Sequence, residues 1–330
     1  MNQEEPTPPD NAAPAVDQAE PTAPAEPTAP LVTIGVPVYN GEDYLAATLD
    51  SILAQRHTNL EILIADNCST DSTRDIIADY AARDDRIRPL FNEINVGAAG
   101  NYNLVLGAAT ADYFAWLSAD DLIEPTYVSI AVDILESRPE VVGVYSHAGR
   151  IDAEGERVGD YHTAMASLRL DDPDAGVRFQ SAVLGFPAIV LFGVMRRATM
   201  LDTPGHGAFI GGDRVFVSEI ALKGRLARLD EELFQRRVHA AAYSSLLDTA
   251  AKAKWFGGED AEAGAPNIER IKQHLQALRR SSPGFRATAR GYFTLVVRFP
   301  LVLGQAQAVT LLQRFLRRSG RELDRGRWAS

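Results

Sequence analysis

Residues 31–41 read Leu-Val-Thr-Ile-Gly-Val-Pro-Val-Tyr-Asn-Gly. The run is apolar, rich in β-branched residues, and ends in a Pro-Val-Tyr-Asn-Gly turn, which predicts a short strand over 31–39 opening into a loop. Upstream the composition changes abruptly. Residues 1–30 hold eight prolines and no Lys or Arg. Such a segment buries too little apolar surface to offset its ordering entropy, so it reads as a disordered tail. No basic start followed by an apolar run is visible there, so no signal peptide is expected.

Downstream the pattern alternates. Leu45, Leu49, Ile52 and Leu53 have helical spacing within 44–54. Residues 60–65 form a second strand that ends at Asp66, and Ser69, Thr70 and Asp71 then offer caps for a helix over 72–82. A third strand at 86–91 leads through the turn Asn95-Val96-Gly97 into a helix over 98–108. A fourth at 113–117 runs into Ser118-Ala119-Asp120-Asp121, Pro125 sits near the start of a helix reaching Ser137, and 141–145 is a fifth strand. Strands alternating with helices predict a mostly parallel sheet covered on both faces. The polar clusters after Val38, Ala65, Phe91 and Leu117 all fall at carboxyl ends of strands, the edge along which open α/β sheets bind ligands.

Beyond Tyr145 the pattern loosens. A hairpin turn is expected around Asp152–Gly155, a strand at 189–195, and a mobile glycine-rich stretch at 205–212. Asp213 opens an amphipathic helix that ends near Gly224; two short strands follow at 226–229 and 233–238. Residues 268–278 read as a helix. Residues 292–316 read as apolar with Arg interleaved, with Pro300 as a break or kink.

Four of these segments together resemble the inverting family-2 glycosyltransferases: Val-Pro-Val-Tyr-Asn at 36–40, Ile-Ala-Asp-Asn-Cys-Ser-Thr-Asp at 64–71, Asn95-Val96-Gly97, and Leu-Ser-Ala-Asp-Asp at 117–121. The resemblance covers roughly 31–240. It implies a GT-A-type fold, with a nucleotide-sugar-binding half at 31–147 and a mixed acceptor half carrying the catalytic base at 148–245. A basic helical extension at 246–330 follows. The implied reaction moves a sugar from a nucleoside diphosphate, UDP or dTDP by preference, to an acceptor hydroxyl by single displacement with inversion.

The site residues follow from that resemblance. Asp120 and Asp121 stand where the family's aspartates hold Mg²⁺ or Mn²⁺ against the diphosphate, with Asp120 as the direct ligand. Carboxylates and substrate phosphates are the ligands such cations prefer. Ser118 replaces the usual first acidic residue of that motif. Asp66 would accept the imide N–H of the base, and Pro37, Val38, Tyr39 and Asn40 would complete the nucleoside pocket. Asn95, Gly97 and Ala119 would lie near the nucleotide and sugar. Asp213 would deprotonate the acceptor, as attack at an anomeric carbon requires. Arg237 and His239 share one strand face and would meet the diphosphate oxygens. Each residue also has an ordinary structural reading. Asp66 and Asp213 suit caps, Asn95 and Gly97 suit a helix-entry turn, and Arg236, Arg237 and His239 suit a surface strand. His147 and His206 read as structural.

Charge bounds the partners. The formal net charge is −11, which argues against nucleic-acid binding. It is unevenly spread: residues 269–330 hold 13 Lys/Arg against 3 Asp/Glu, whereas the first 268 hold 20 against 41. A basic amphipathic stretch at 285–318 suits peripheral attachment to a membrane, and a saccharide or lipid-linked acceptor would fit it. With one cysteine, Cys68, and no run of 18 apolar residues, the expected setting is cytoplasmic, at the inner face of a membrane. The rival readings are a non-catalytic sugar-nucleotide-binding scaffold and a sugar-1-phosphate nucleotidyltransferase. The Pro37–Gly41 loop stands where the latter carries a glycine-rich loop with Arg. No oligomeric state is legible.

Overall fold

The computed structural model describes residues 29–185, 188–240, 248–258, 266–301 and 304. The expected disordered tail lies outside them except for Ala29 and Pro30, whose carbonyls accept hydrogen bonds from Asn59 Nδ2 at 2.8 Å and His57 Nε2 at 2.7 Å.

One mixed sheet runs through the described chain in the order β3-β2-β1-β4-β8-β6-β9-β5, with β7 paired to β6. The first four are β1 (Val32–Val38), β2 (Leu60–Asp66), β3 (Ile87–Phe91) and β4 (Tyr113–Trp116). They are mutually parallel. They are joined by the helices α1 (Leu45–Leu53), α2 (Thr73–Ala81) and α3 (Gly97–Ala108). β1 is buried along its whole length, as expected of a strand covered on both faces. Pro37 is tolerated because the pairing of β1 with β4 stops at Gly35 opposite Trp116, so its missing N–H falls beyond that ladder. In α1 the buried residues Leu45, Thr48, Leu49 and Ile52 form one stripe, which the apolar spacing predicts.

The sequence reading needs correction in four places past β4. A two-residue strand β5 (Leu122–Ile123), invisible to pattern reading, pairs antiparallel with β9. α4 (Tyr127–Ser137) then leads to β6 (Val141–Ile151), which is longer than expected and forms the predicted hairpin with β7 (Arg157–Asp160). Short α5 (His162–Ala166) and α6 (Ala175–Leu184) follow. The strand expected at 189–195 is a 3₁₀ turn, Ala188–Phe192, before a short β8 (Val194–Arg196). A buried apolar run does not by itself distinguish the two. The two strands expected at 226–238 are one, β9 (Arg225–Arg237), parallel to β6. Its register shifts where Leu229 faces Ser146 and Glu232 faces His147, so Asp230 and Glu231 are absorbed as a bulge rather than a turn.

α7 (Arg197–Leu201) and a loop of successive turns lead to α8 (Gly212–Lys223), which Gly224 ends as expected. α9 (Thr249–Gly257), α10 (Pro266–Ser281) and α11 (Phe285–Phe293) complete the described helices. α6, α8, α10 and the last helix close a second core of Phe179, Val183, Leu222, Leu278, Leu295 and Phe299. Arg280 holds the buried Glu219 with two hydrogen bonds at 2.9 and 2.7 Å, tying α10 to α8. Pro300 does not break its helix. A π-helical turn at Thr294–Arg298 precedes it, a distortion that changes the backbone pairing ahead of the proline. The rest of the expected 292–316 stretch, apart from 292–301 and Gly304, lies outside the described residues.

Candidate active site

The sheet sets the place of the site. From β1 the chain crosses to β2 on one side, and from β3 it returns through α3 to β4 on the other, so the order reverses between β1 and β4. Ligands of open α/β sheets bind at that switch point, off the carboxyl ends. A cleft of about 500 Å³ opens there. Pro37, Val38, Tyr39, Asn40 and Gly41 line it after β1; Ser118, Ala119, Asp120 and Asp121 line it after β4. Asp213, Arg236, Arg237 and His239 reach it from the later half of the chain.

The two aspartates behave differently. Asp120 Oδ2 lies 2.9 Å from His239 Nε2, and its side chain is 30% exposed. Asp121 is buried, and its Oδ1 accepts from the Arg237 backbone N–H at 2.9 Å. Burial, with the neighbouring Asp120 charge added, pushes the Asp121 carboxyl well above the usual carboxylate range. The geometry therefore departs from a metal held by both aspartates: Asp121 serves to pin the end of β9. Arg237 departs from expectation too. Its guanidinium donates to the carbonyls of Asp120, Asp152 and Ala153 at 2.9, 2.9 and 3.0 Å and lies 4.8 Å from the Tyr44 ring centroid. It braces the loops and is not aimed at a diphosphate. Tyr44 also packs on His239, with centroids 4.7 Å apart, which fixes the imidazole beside Asp120. Arg236 lines the cleft and, among the described residues, makes no hydrogen bond; its guanidinium lies 5.9 Å from the Tyr161 ring centroid.

Asp66 does not line the cleft. Its side chain is wholly buried, paired to Arg74 Nε at 2.6 Å, and it accepts from the Ser69 N–H at 3.2 Å. An imide contact would require Arg74 to release it. The cleft wall beside it is Asn67, whose Nδ2 donates to Asn95 Oδ1 at 2.9 Å while Val96 N–H donates to Asn67 Oδ1 at 3.0 Å. Asn40 (φ +49°) accepts from Thr70 N–H at 2.9 Å. These amides brace one another across the strand ends.

Gly97 has φ +74°, and a Cβ there would stand 2.5 Å from Gly258 N and 2.7 Å from the Gly257 carbonyl carbon. The neighbour at this glycine is the chain itself: α9 docks on the start of α3. Docked there, α9 lends Ala251, Lys254, Trp255 and Phe256 to the cleft.

Asp213 is the second residue of α8, after Gly211 (φ +90°), and its carboxylate accepts no hydrogen bond from another described residue. It does not cap the helix, but it stands in the first turn, where a negative charge is ordinarily favourable. His206 lies in the same cleft. It stacks on Phe256 with centroids 5.6 Å apart and packs on Tyr102 at 5.2 Å. Burial lowers the His206 imidazole below the ordinary histidine range, opposed by the charge of Asp213, so a neutral ring stands near that carboxylate. Ser118 Oγ, the departure from the usual acidic motif, lies 3.3 Å from the Tyr102 hydroxyl. Sequence reading missed Tyr44, Tyr102 and the whole α9 wall, left Arg236 as part of a surface strand, and took His206 as structural. Only Arg236 carried a signal, its place in the Gln-Arg-Arg-Val-His segment.

Among the described residues no three His, Cys, Asp or Glu side chains converge as a metal cage. Mg²⁺ and Mn²⁺ sites that use substrate phosphates need only one or two protein groups. Asp120 and His239 offer two such groups, and Asp121 lines the cleft beside them with its Oδ1 taken by the Arg237 N–H.

The comparisons agree with this fold. Residues 33–188 match the sequence model of Glycosyl transferase family 2. An uncharacterised glycosyltransferase of Nostoc sp. is 28% identical over 218 residues, 64% of this chain and 65% of its own length. The Bacillus subtilis protein TuaG, a glycosyltransferase named for teichuronic acid biosynthesis, is 45% identical over 92 residues, 28% of this chain and 36% of TuaG. The chain thus spans less than two thirds of either relative. Staphylococcus aureus TarS 1–349, solved with UDP, shares the fold at a TM-score of 0.51 and 19% identity, covering 81% of this chain and 75% of TarS 1–349. The mannosyltransferase PcManGT of Pyrobaculum calidifontis, solved with GDP-Man and Mn²⁺, gives 0.52 and 20%, covering 86% and 81%. With the sequence match seated on the strand ends that build the cleft, residues 33–188 form a family-2 glycosyltransferase domain.

Proposed function

We propose that the cleft transfers a sugar from a nucleoside diphosphate to an acceptor hydroxyl in one displacement that inverts the anomeric centre. The observation that carries this reading is the convergence of Asp120, His239 and Asp213, from three separate stretches, on one cleft at the sheet's switch point. The nucleoside occupies the Pro37–Asn40 and Asn67–Asn95 side. The uridine or thymidine preference rests on Asp66 and requires its bond to Arg74 to exchange for the imide.

Asp120 and His239 would hold a divalent cation, with Mn²⁺ favoured over Mg²⁺ because one of the two ligands is an imidazole. When bound, that cation supplies positive charge against the departing diphosphate. Arg236 adds a second cation on the same side of the cleft. Asp213, with a carboxylate that no helix N–H occupies, takes the acceptor proton as attack proceeds. The His206 imidazole and the Phe256 ring line the same cleft. The acceptor is a saccharide, free or lipid-linked; the TuaG similarity supports a cell-envelope polysaccharide.

A thermal-shift screen of UDP-, dTDP- and GDP-sugars with and without Mn²⁺ tests the reading, because a ligand that binds only the folded protein raises its melting temperature. A Mn²⁺-dependent rise with at least one nucleotide-sugar, and metal-dependent donor hydrolysis lost in Asp120→Ala, is the expected result. Binding without any turnover would favour the scaffold, and pyrophosphate release from a nucleoside triphosphate would favour the nucleotidyltransferase.

A further inference from the structure

The last described helix carries a surface that glycosyl transfer leaves unused. Its inner side is buried: Ala287, Gly291, Thr294, Leu295 and Phe299 pack inward, and Leu295 and Phe299 join the second core. Its outer side is apolar as well. Phe285 is 89% exposed and Val296 68%, and Phe293, Val297 and Leu301 are exposed beside them. Phe293, Val297 and Leu301 recur every four residues and Val296 follows Phe293 by three, so these side chains share a face along the rod. A helix apolar on both sides is ordinarily buried on both.

The charge around this face has one sign. From Arg270 to Arg321 the sequence holds 11 Lys/Arg and no Asp or Glu. Arg286 and Arg298 flank the exposed apolar residues, and neither makes an ion pair with another described residue; Arg290 pairs with Asp174 at 2.9 Å. The body of the protein is acidic, with 41 Asp/Glu against 20 Lys/Arg in the first 268 residues.

We propose that this face, Phe285 to Leu301, docks on an anionic lipid bilayer. The exposed apolar side chains enter the boundary between headgroups and acyl chains, and Arg286 and Arg298 meet lipid phosphates. The sign of the charge selects this occupant. A second copy would bring the same positive face. Residues 305–330 hold six Arg against one Glu and one Asp, so this chain's own C-terminal segment is repelled in the same way. A bilayer with negative headgroups supplies both the apolar depth and the opposite charge, while repelling the acidic remainder and so orienting the molecule. The proposal is independent of the transfer chemistry.

The test is co-sedimentation of the full chain with vesicles of one part phosphatidylglycerol to three parts phosphatidylcholine, beside vesicles of phosphatidylcholine alone. The full chain is expected to pellet with the former, to be released by high salt, and to stay in solution with the latter. Phe293→Glu/Val296→Glu, at two exposed positions, should lower the partition coefficient at least about tenfold. Arg286→Ala/Arg298→Ala should lower it several-fold. Both variants should keep the wild-type melting temperature. Equal binding to neutral vesicles, no binding to anionic ones, or wild-type binding by the Glu variant would each overturn the proposal. So would a concentration-dependent dimer that the Glu substitutions dissolve while vesicles have no effect.

Discussion

His239 Nε2 and Asp120 Oδ2 stand 2.9 Å apart although 119 positions separate them in the chain. The contact joins the loop after β4 to the end of β9, and Tyr44 packs against the imidazole. If this pair holds the cation, Asp120→Ala and His239→Ala should each abolish the Mn²⁺-dependent part of the thermal shift given by a nucleotide-sugar. At a hundredfold excess over Kd that part amounts to about 2.7 kcal/mol. Differential scanning fluorimetry with and without chelator measures it.

Asp121→Asn should behave in the opposite way. Asparagine keeps an oxygen for the Arg237 N–H and removes a buried charge. The expected outcome is unchanged Mn²⁺ affinity and a melting temperature equal to or above wild type. A loss of metal affinity as large as that of Asp120→Ala would return Asp121 to the ligand set.

Asp213→Asn removes the proton acceptor but preserves shape. Turnover should fall roughly 10²–10⁴-fold while donor affinity holds near wild type, since the carboxylate makes no described contact that positions the nucleotide side. Single-turnover kinetics beside calorimetric donor binding separates the two quantities. Wild-type turnover would remove Asp213 from the chemistry.

Gly97→Ala places a methyl carbon 2.5 Å from Gly258 N at a backbone angle of φ +74°. Strain and clash together should cost on the order of 1–3 kcal/mol, concentrated at the junction of α3 and α9. Trypsin should then cut faster at Lys252 and Lys254, and donor hydrolysis should change while the main melting transition moves little. Trp255→Ala is the companion variant: it leaves the docking glycines intact and tests the exposed ring by itself.

His274 gives the pH dependence. It is buried among Phe179, Phe299 and Ser218, and burial, aided by Arg270 and Arg214, lowers its imidazole to about 3. Its folded value lies below its unfolded value, so between about pH 6.5 and 3 the unfolded chain binds the extra proton. Stability is full above that window and falls as pH drops through it, by at most ~1.4 kcal/mol per pH unit from this group. Chemical denaturation from pH 7 to 4.5 should show the slope, and His274→Leu should lessen it, leaving the part due to the buried His206.

The nucleotide half was legible because its strands are short, apolar and locally punctuated. Val32–Val38 and Leu60–Asp66 sit where their composition places them, and all four polar clusters meet one edge. The later half was read less well because its strands depend on partners far along the chain. Leu122–Ile123 is a strand only because Phe234 and Gln235 lie beside it, and the charged Asp230–Glu231 pair hides inside a single long strand. At the site, residue types were found more readily than their directions. Asp120, Asp213 and His239 were named and line one cleft. The inward turn of Asp121, the carbonyl contacts of Arg237 and the pairing of Asp66 with Arg74 depend on side-chain torsions and neighbours that spacing does not encode.

The notch at Gly97 also has a bearing on how such a protein diversifies. Much of the cleft comes from strand-end loops between Pro37 and Asp121, whereas one of its walls is a short helix some 150 residues after Gly97, held by glycine backbones and aromatic rings. The two can therefore vary on separate schedules. Grafting a different helix of nine residues at this place changes one wall of the cleft while the strand ends opposite stay as they are.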